Sequence, residues 1–190
     1  MEDNYLQSIK KQFEYYKMLG DRTFIQIDEK IIFKKFNENS NSIAILVKHL
    51  WGNMLSRWTD FMHSDGEKSF RDRDSEFEND IKNKKELLEK WEEGWNCLFH
   101  AIDTLSSEDL NKIIYIRNQG HTVIEALNRQ LAHYSYHMGQ IIFISKMLME
   151  DDWVTLTIPK GNSKMYNAHK FSKTKENIHF TDEYINSKKK

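Results

Sequence analysis

The chain of 190 residues has a single cysteine, Cys97, and a single proline, Pro159. One cysteine excludes a disulfide framework and a zinc ribbon built from several thiolates. One proline and seven glycines leave few residues that interrupt helices, so the composition favours an all-α fold. Hydrophobic residues make up 39% and aromatic residues 13%, which is typical of a chain that buries a core.

Long hydrophobic runs and an excess of one charge are also missing. No stretch approaches the ~20 apolar residues of a membrane span, and the first residues lack the layout of a signal peptide. Lys and Arg number 28 and Asp and Glu 29, which gives a net charge of -1. This balance disfavours nucleic acid as a partner, because such binders carry a basic surface. We therefore expect a cytoplasmic protein with no membrane and no nucleic-acid partner.

Four stretches place apolar residues at helical spacing. They cover about residues 3 to the late twenties, 43–63, 82–105 and 122–149. One of Ser40, Asn41 and Ser42 is expected to cap the second helix. Thr122 and Glu125 have the spacing of a capping box at the start of the fourth. Four long helices around one core, a four-helix bundle, is the most economical arrangement of this pattern.

The connections between these helices are less regular. Residues 64–80 are polar and without periodicity, which predicts a long exposed connection. Residues 113–116 are expected to be briefly extended. After Asp152 the helical pattern ends, and the remaining stretch finishes in three lysines.

The main chemical signal is a set of eight histidines. His133 and His137 lie one turn apart on the fourth helix and can share a ligand. Chance produces such a pair in roughly a quarter to a third of comparable sequences, so a plain hydrogen-bonded pair is an equal alternative. His49, on the second helix, would complete a three-histidine metal site with an open position, although a lone histidine there is more often at the surface. The other five are expected at the surface, in caps or in the tail: His63, His100, His121, His169 and His179.

Polar residues near these histidines are candidates for catalytic roles. Asn53 lies one turn from His49, and Gln140 less than one turn from His137. Either amide can orient water or substrate, or fix an imidazole tautomer. Arg57, two turns from His49, can hold an anionic group such as a carboxylate.

Other sequence signals favour structural roles. Arg71 and Arg73, in the connection, can hold an anionic group as Arg57 can, but surface salt bridges are the favoured role for both. Cys97 is expected to be a small buried residue. The sequence has no glycine-rich phosphate loop, no Gly-x-Ser-x-Gly elbow and no His-Glu-x-x-His. No carboxylate is spaced along a helix to act as general base beside the histidines.

Several segments together are more specific than the histidine pair. They are residues 42–54, 57–61, 65–68, 71–78, 129–141 and 158–163. These segments resemble the DinB-like superfamily, also called the YfiT-type metal-dependent enzymes, and within it a bacterial subfamily of unknown function. The resemblance covers residues 3–167, with phenylalanine at position 70 where tryptophan is expected. It divides the chain into a domain of residues 1–167 and a polar tail, residues 168–190, compatible with disorder.

The resemblance implies a four-helix bundle with an up-down-down-up course and a homodimer. It also implies a divalent metal, most suitably Zn or Ni, bound by His49, His133 and His137. Relatives include S-transferases and isomerases that use low-molecular-weight bacterial thiols, and proteins that are hydrolases by name only. We favour thiol S-transfer on a small-molecule substrate, because metal coordination itself deprotonates a thiol. A metal-dependent hydrolase and a non-catalytic, dimeric stress-response protein remain the alternatives, so whether the chain is an enzyme stays open.

Overall fold

The structure, a computed structural model, describes residues 2–185. The helices are α1 (Glu2–Gln26), α2 (Glu29–Phe33), α3 (Ile43–Trp58), α4 (Lys84–Asp103), α5 (Val123–Met149), α6 (Ser163–Phe171) and α7 (Asp182–Ile185). Two short strands, β1 (Ile113–Ile116) and β2 (Gln119–Thr122), pair in antiparallel register. Short 3-10 turns occupy residues 75–77, 107–109 and 150–152. The described chain is therefore mostly helical with one small sheet, as the composition indicates.

Side chains define where the long helices begin. The Ser42 hydroxyl accepts a hydrogen bond from the backbone of Ile45 at the start of α3. At the start of α5, Thr122 and Glu125 bond each other's backbone N–H groups, which confirms the predicted capping box. These local contacts satisfy backbone donors that would otherwise lack partners. The start of α5 matters most, because it sets the rotation of the helix that carries two of the histidines.

The four long helices, α1, α3, α4 and α5, share one hydrophobic core. Aromatic rings fill its centre. Trp95 of α4 lies edge-on to Phe13 of α1 at 6.4 Å and to Tyr134 of α5 at 5.9 Å between ring centroids. Trp91 packs against Phe24 at 5.0 Å. Buried aromatic rings contribute much of the apolar area that drives folding, so this cluster ties α1, α4 and α5 together.

The end of α3 and the strand β2 differ from the prediction. Helix α3 ends at Trp58 rather than at residue 63, since Asp60 adopts a left-handed backbone conformation with φ of 44°. Strand β1 confirms the extended residues 113–116, whereas β2 was not predicted. Between the strands, Arg117 and Asn118 both have positive φ, 55° and 59°, as a tight hairpin turn requires.

Helical structure continues beyond the predicted domain boundary at residue 167, which falls inside α6. Residues near α7 also contact α1. His179 Nε2 lies 3.0 Å from the Ser8 hydroxyl, and Lys11 forms a 2.8 Å ion pair with Asp182.

The terminal lysines lie outside the described residues. None of the helices in residues 2–185 is long and apolar enough to cross a membrane.

Candidate metal centre

The structure brings together the three histidines that the sequence singled out. His133 and His137 project from adjacent turns of α5, and His49 faces them from α3. The Nε2 atom of His133 lies 3.3 Å from that of His49 and 3.0 Å from that of His137. His49 is only 5% exposed, so the alternative of a surface histidine on α3 is wrong. One ligand atom from each residue lies within 4.8 Å of the others, so the three could hold a metal ion.

An acidic partner orients the His49 ring. The Nδ1 atom of His49 lies 2.8 Å from a carboxylate oxygen of Glu76. A carboxylate only accepts hydrogen bonds, so Nδ1 carries the proton and Nε2 keeps its lone pair. Phe77, next along the chain, stacks on the same imidazole at 5.1 Å between centroids. The ring is thus held with Nε2 directed at the other two histidines.

The two histidines of α5 have matching partners within their own helix. His133 Nδ1 lies 3.3 Å from Oε1 of Gln130, and His137 Nδ1 lies 2.8 Å from Oε1 of Gln140. Both contacts span three residues, so the helix itself supplies them. With Nδ1 donating to an amide oxygen, the Nε2 lone pair of each ring is available to a cation.

Glu76 occupies a closely fitted position. Arg71 donates two hydrogen bonds to the Glu76 carboxylate, from Nε at 2.7 Å and from Nη2 at 3.0 Å. Burial alone would raise the pKa of Glu76, but the hydrogen bonds from His49 and Arg71 hold it below its usual value. A side chain at Gly52 would overlap with this carboxylate, so glycine gives Glu76 its approach to α3. Glu76 is consequently an ionised, buried anchor for the His49 ring.

The prediction that residues 64–80 form an exposed connection is wrong for its functional part. Glu76 is 3% exposed, and so is the side chain of Arg71, which is therefore not in a surface salt bridge. The segment is held to α3 by a 2.6 Å ion pair from Lys48 to Asp80, among other contacts. Its charges pair with one another and with α3. Such pairing leaves no periodic signal in the sequence, so Glu76 was not recognised as a site residue.

Burial keeps His133 and His137 neutral by lowering their pKa values. The pKa of His133 is lowered to about 3 by burial and by the neighbouring His137, His49, Arg57 and Arg71. The pKa of His137 is lowered to about 4 by burial and by His49, against a hydrogen bond to Gln140 that raises it. Metal binding requires unprotonated imidazole, and both rings are in that form at neutral pH.

The three predicted catalytic candidates occupy different places. Asn53 is buried, and its Oδ1 accepts a 3.0 Å hydrogen bond from the Tyr134 hydroxyl. Arg57 is also buried and bonds Glu67 at 3.0 Å. Both residues line a cavity beside the histidines. Gln140 does not line it and instead contacts His137, which fits the role of fixing an imidazole tautomer.

The cavity beside the histidines has a volume of about 240 Å³. It is lined by His49, Asn53, Arg57, Arg71, Arg73, Arg117, Arg129, Gln130 and His133. None of these lining residues is acidic. Arg117 lies at the tip of the hairpin. There the Asp65 carboxylate accepts hydrogen bonds from the backbone N–H groups of Arg117 and Asn118, each at 2.8 Å. The sequence offered no signal for Arg117, because the hairpin and the helix meet only in the folded chain.

Fold and site together define a helical protein with three converging histidines beside an arginine-lined cavity. The family model described as "Protein of unknown function (DUF1572)" matches residues 1–162, and the chain belongs to this family. Neither the curated proteins nor the solved structures include a significant match to the chain. Membership agrees with the expected family of unknown function, whereas the wider DinB-like assignment stays a prediction.

Proposed function

We propose that the chain binds one divalent metal ion through Nε2 of His49, His133 and His137 and is a metal-dependent enzyme of the DinB-like superfamily. The observation that carries the proposal is the convergence of three Nε2 atoms whose rings all have an oxygen partner at Nδ1. Two imidazole nitrogens that bind a tetrahedral ion at ~2.1 Å lie about 3.4 Å apart. The separations of 3.0 and 3.3 Å are close to this value.

The donor set favours particular metals and leaves room for a further ligand. Neutral imidazoles suit Zn and Ni, and three protein ligands leave a position for water or substrate. A bound ion of this kind supplies a Lewis acid that lowers the pKa of a coordinated thiol or water. Glu76 and the two glutamines keep the imidazoles aligned for that purpose, as partners of metal-binding histidines do in other proteins.

The arrangement supports transfer to or from a low-molecular-weight thiol over hydrolysis. Hydrolysis usually needs a positioned base or acid beside the reacting water. Glu76 lies on the Nδ1 side of His49 and is held by Arg71, and no carboxylate lines the cavity. A thiol needs no such base once its proton has been lost. Asn53 and Arg57, which both line the cavity, would hold a small-molecule substrate.

The resemblance to the DinB-like superfamily supports a proposal on helix topology and oligomeric state. We infer that the long helices form an up-down-down-up bundle within a domain of residues 1–167, and that two chains form a homodimer. Light scattering tests the dimer. A mass near the 22.8 kDa of one chain across micromolar concentrations would reject it.

Metal binding is tested by elemental analysis of protein purified without a histidine tag. We expect about one divalent ion per chain in the wild type and a large loss in His137→Ala. His100→Ala is the matched control, since His100 is exposed on α4 and lies outside the cluster. Equal metal content in the wild type and His137→Ala would overturn the proposed site.

The reaction class is tested with metal-loaded protein, a bacterial thiol and a chlorinated aromatic electrophile. Conjugation above the uncatalysed rate, lost in His137→Ala, supports thiol transfer. Turnover of esters or amides without conjugation would replace thiol transfer by hydrolysis. A metal-loaded protein that is inactive in both assays would leave the non-catalytic alternative.

A further inference from the structure

The cavity beside the histidines is unusually rich in one side chain. Five of the six arginines of the chain line it: Arg57, Arg71, Arg73, Arg117 and Arg129. No lysine lines it, although lysines far outnumber arginines in the sequence. Arginine presents a planar fork of donors that matches carboxylate and phosphate oxygens, whereas lysine is a point charge. The composition of this wall therefore indicates recognition of an oxyanion.

The inner wall of the cavity contains buried positive charge. Arg57 is 6% exposed, and the side chain of Arg71 is 3% exposed. Both bond Glu67, at 3.0 and 3.3 Å. The Nε atom of Arg57 is buried and has no hydrogen-bond partner among the described residues. A buried donor without a partner costs free energy. The chain therefore leaves at least one hydrogen-bond donor of this wall, Arg57 Nε, available to a ligand.

The outer rim is formed by exposed arginines. Arg117 shares Glu67 at 3.2 Å, Arg73 lies over the Phe77 ring at 5.3 Å, and Arg129 meets His121 at 3.3 Å. Neither Arg73 nor Arg129 forms an ion pair with any residue that the structure describes.

The arginines outnumber the carboxylates that pair with them. Among the described residues only Glu67 and Glu76 bond the lining arginines, so five positive charges face two negative ones, and Arg73 and Arg129 have no carboxylate partner. The whole chain nevertheless has a net charge of -1. The positive charge is thus concentrated at this cavity, where it raises the local concentration of anions.

We propose that this cavity binds the anionic part of the substrate, a small molecule with two or more carboxylate charges or a phosphate group. The proposal rests on the proposed function, because His49 and His133 line the same cavity and place the anion beside the metal site. The volume of about 240 Å³ admits a small molecule and excludes a folded partner. Arg73 and Arg129 provide the guanidinium groups that pair with no carboxylate among the described residues, and the buried Arg57 and Arg71 form the floor of the cavity.

The test is calorimetric titration of the full-length, metal-loaded protein at constant ionic strength. The probes are malonate, inorganic phosphate and neutral malonamide. We expect malonate or phosphate to bind and malonamide not to bind. Tighter binding of malonate identifies a dicarboxylate substrate class, and tighter binding of phosphate identifies a phosphorylated one. Equal, weak heats for all three probes would overturn the proposal.

Charge variants provide the specific control. Arg73→Gln and Arg129→Gln change exposed side chains, so the fold is retained, and each is expected to weaken anion binding roughly tenfold. Lys85→Gln, which removes a positive charge from an exposed site on α4, should leave binding unchanged. Wild-type binding by the double variant Arg73→Gln/Arg129→Gln would contradict the proposal.

The metal content of every variant separates this inference from the metal proposal. If the wild type contains no metal and still binds anions through its arginines, the proposed metal site is wrong and the proposed anion site is supported. A wild type with one metal per chain and no preference for anions would do the reverse.

Discussion

The interface between α1 and α4 differs from the interface between α3 and α5 in the kind of side chain that it buries. The first is aromatic and apolar, with Trp91 and Trp95 against Phe13 and Phe24. The second contains buried polar groups, among them His49, Asn53, Gln130 and His137. Apolar burial stabilises the fold, whereas burial of polar groups costs free energy unless each group finds a partner. Stability is therefore concentrated on one side of the core and chemistry on the other.

Cavity size alone would have pointed elsewhere, because cavities of about 900 Å³ on α4 and about 610 Å³ near α1 are both larger than the cavity beside the histidines. A cavity of about 610 Å³ lies between α1 and the C-terminal segment, and most of its lining is apolar. It holds Leu156, Met165 and Tyr166 but none of the three converging histidines. The smaller cavity is the better candidate because its polar groups converge and their pKa values are displaced.

The largest expected effect is on stability, from Trp95→Ala on the aromatic side. Removing this fully buried ring should lower the free energy of unfolding by about 3–5 kcal/mol, because it leaves a cavity between α1, α4 and α5. Urea unfolding measures the loss, and elemental analysis of the folded protein should still give wild-type metal content. A parallel fall in metal content would show that the two sides are not independent.

The buried His133 and His137, between α3 and α5, should make the stability of the metal-free protein depend on pH. In the folded chain the pKa of His133 is about 3 and that of His137 about 4, whereas unfolded histidines titrate near 6.5. The unfolded state therefore binds more protons below pH ~6.5, so stability is complete above that pH. It decreases as the pH falls through about 6.5 toward 4 and 3.

Urea midpoints of the metal-free protein at a series of pH values measure this dependence. The double variant His133→Asn/His137→Asn should have a flatter profile, with close to two fewer protons taken up on unfolding. Superimposable profiles for the two proteins would contradict the assignment of the effect to these histidines.

Glu76→Gln should weaken metal binding about 10- to 100-fold, because the His49 ring loses its charged orienting partner. Competition with a chromophoric chelator measures the affinity. Glu78→Gln, two residues further on and exposed, is the matched control and should bind metal as the wild type does. Equal affinities for all three proteins would remove Glu76 from the site.

The smallest effects come from two glycines in helices. Gly52→Ala should cost about 1 kcal/mol of stability and also weaken metal binding, since its methyl group overlaps with Glu76. Gly139→Ala, whose added methyl group meets nothing within 4 Å, should stabilise α5 by about 0.5–1 kcal/mol. Thermal and urea unfolding measure both. Stabilisation in both variants would show that Glu76 moves aside freely.

Much of the helical framework was predictable because it depends on short-range contacts. The caps at Ser42 and Thr122 lie within three residues of their partners. The pairing of His133 with His137 follows from helix geometry, and the resemblance added His49. Helix ends were less predictable, as the early end of α3 shows.

Local sequence is enough to specify the mostly helical fold, the starts of α3 and α5, and the histidine pair, because these depend on neighbours along one helix. The rest of the site depends on contacts that form only when the chain folds. Glu76 reaches His49 across 27 residues, and the tip of the hairpin reaches Asp65 across 52. Each of these contacts involves a residue in an irregular segment, which has no period to detect. Burial turns the Glu76 carboxylate from a surface group into the partner of His49.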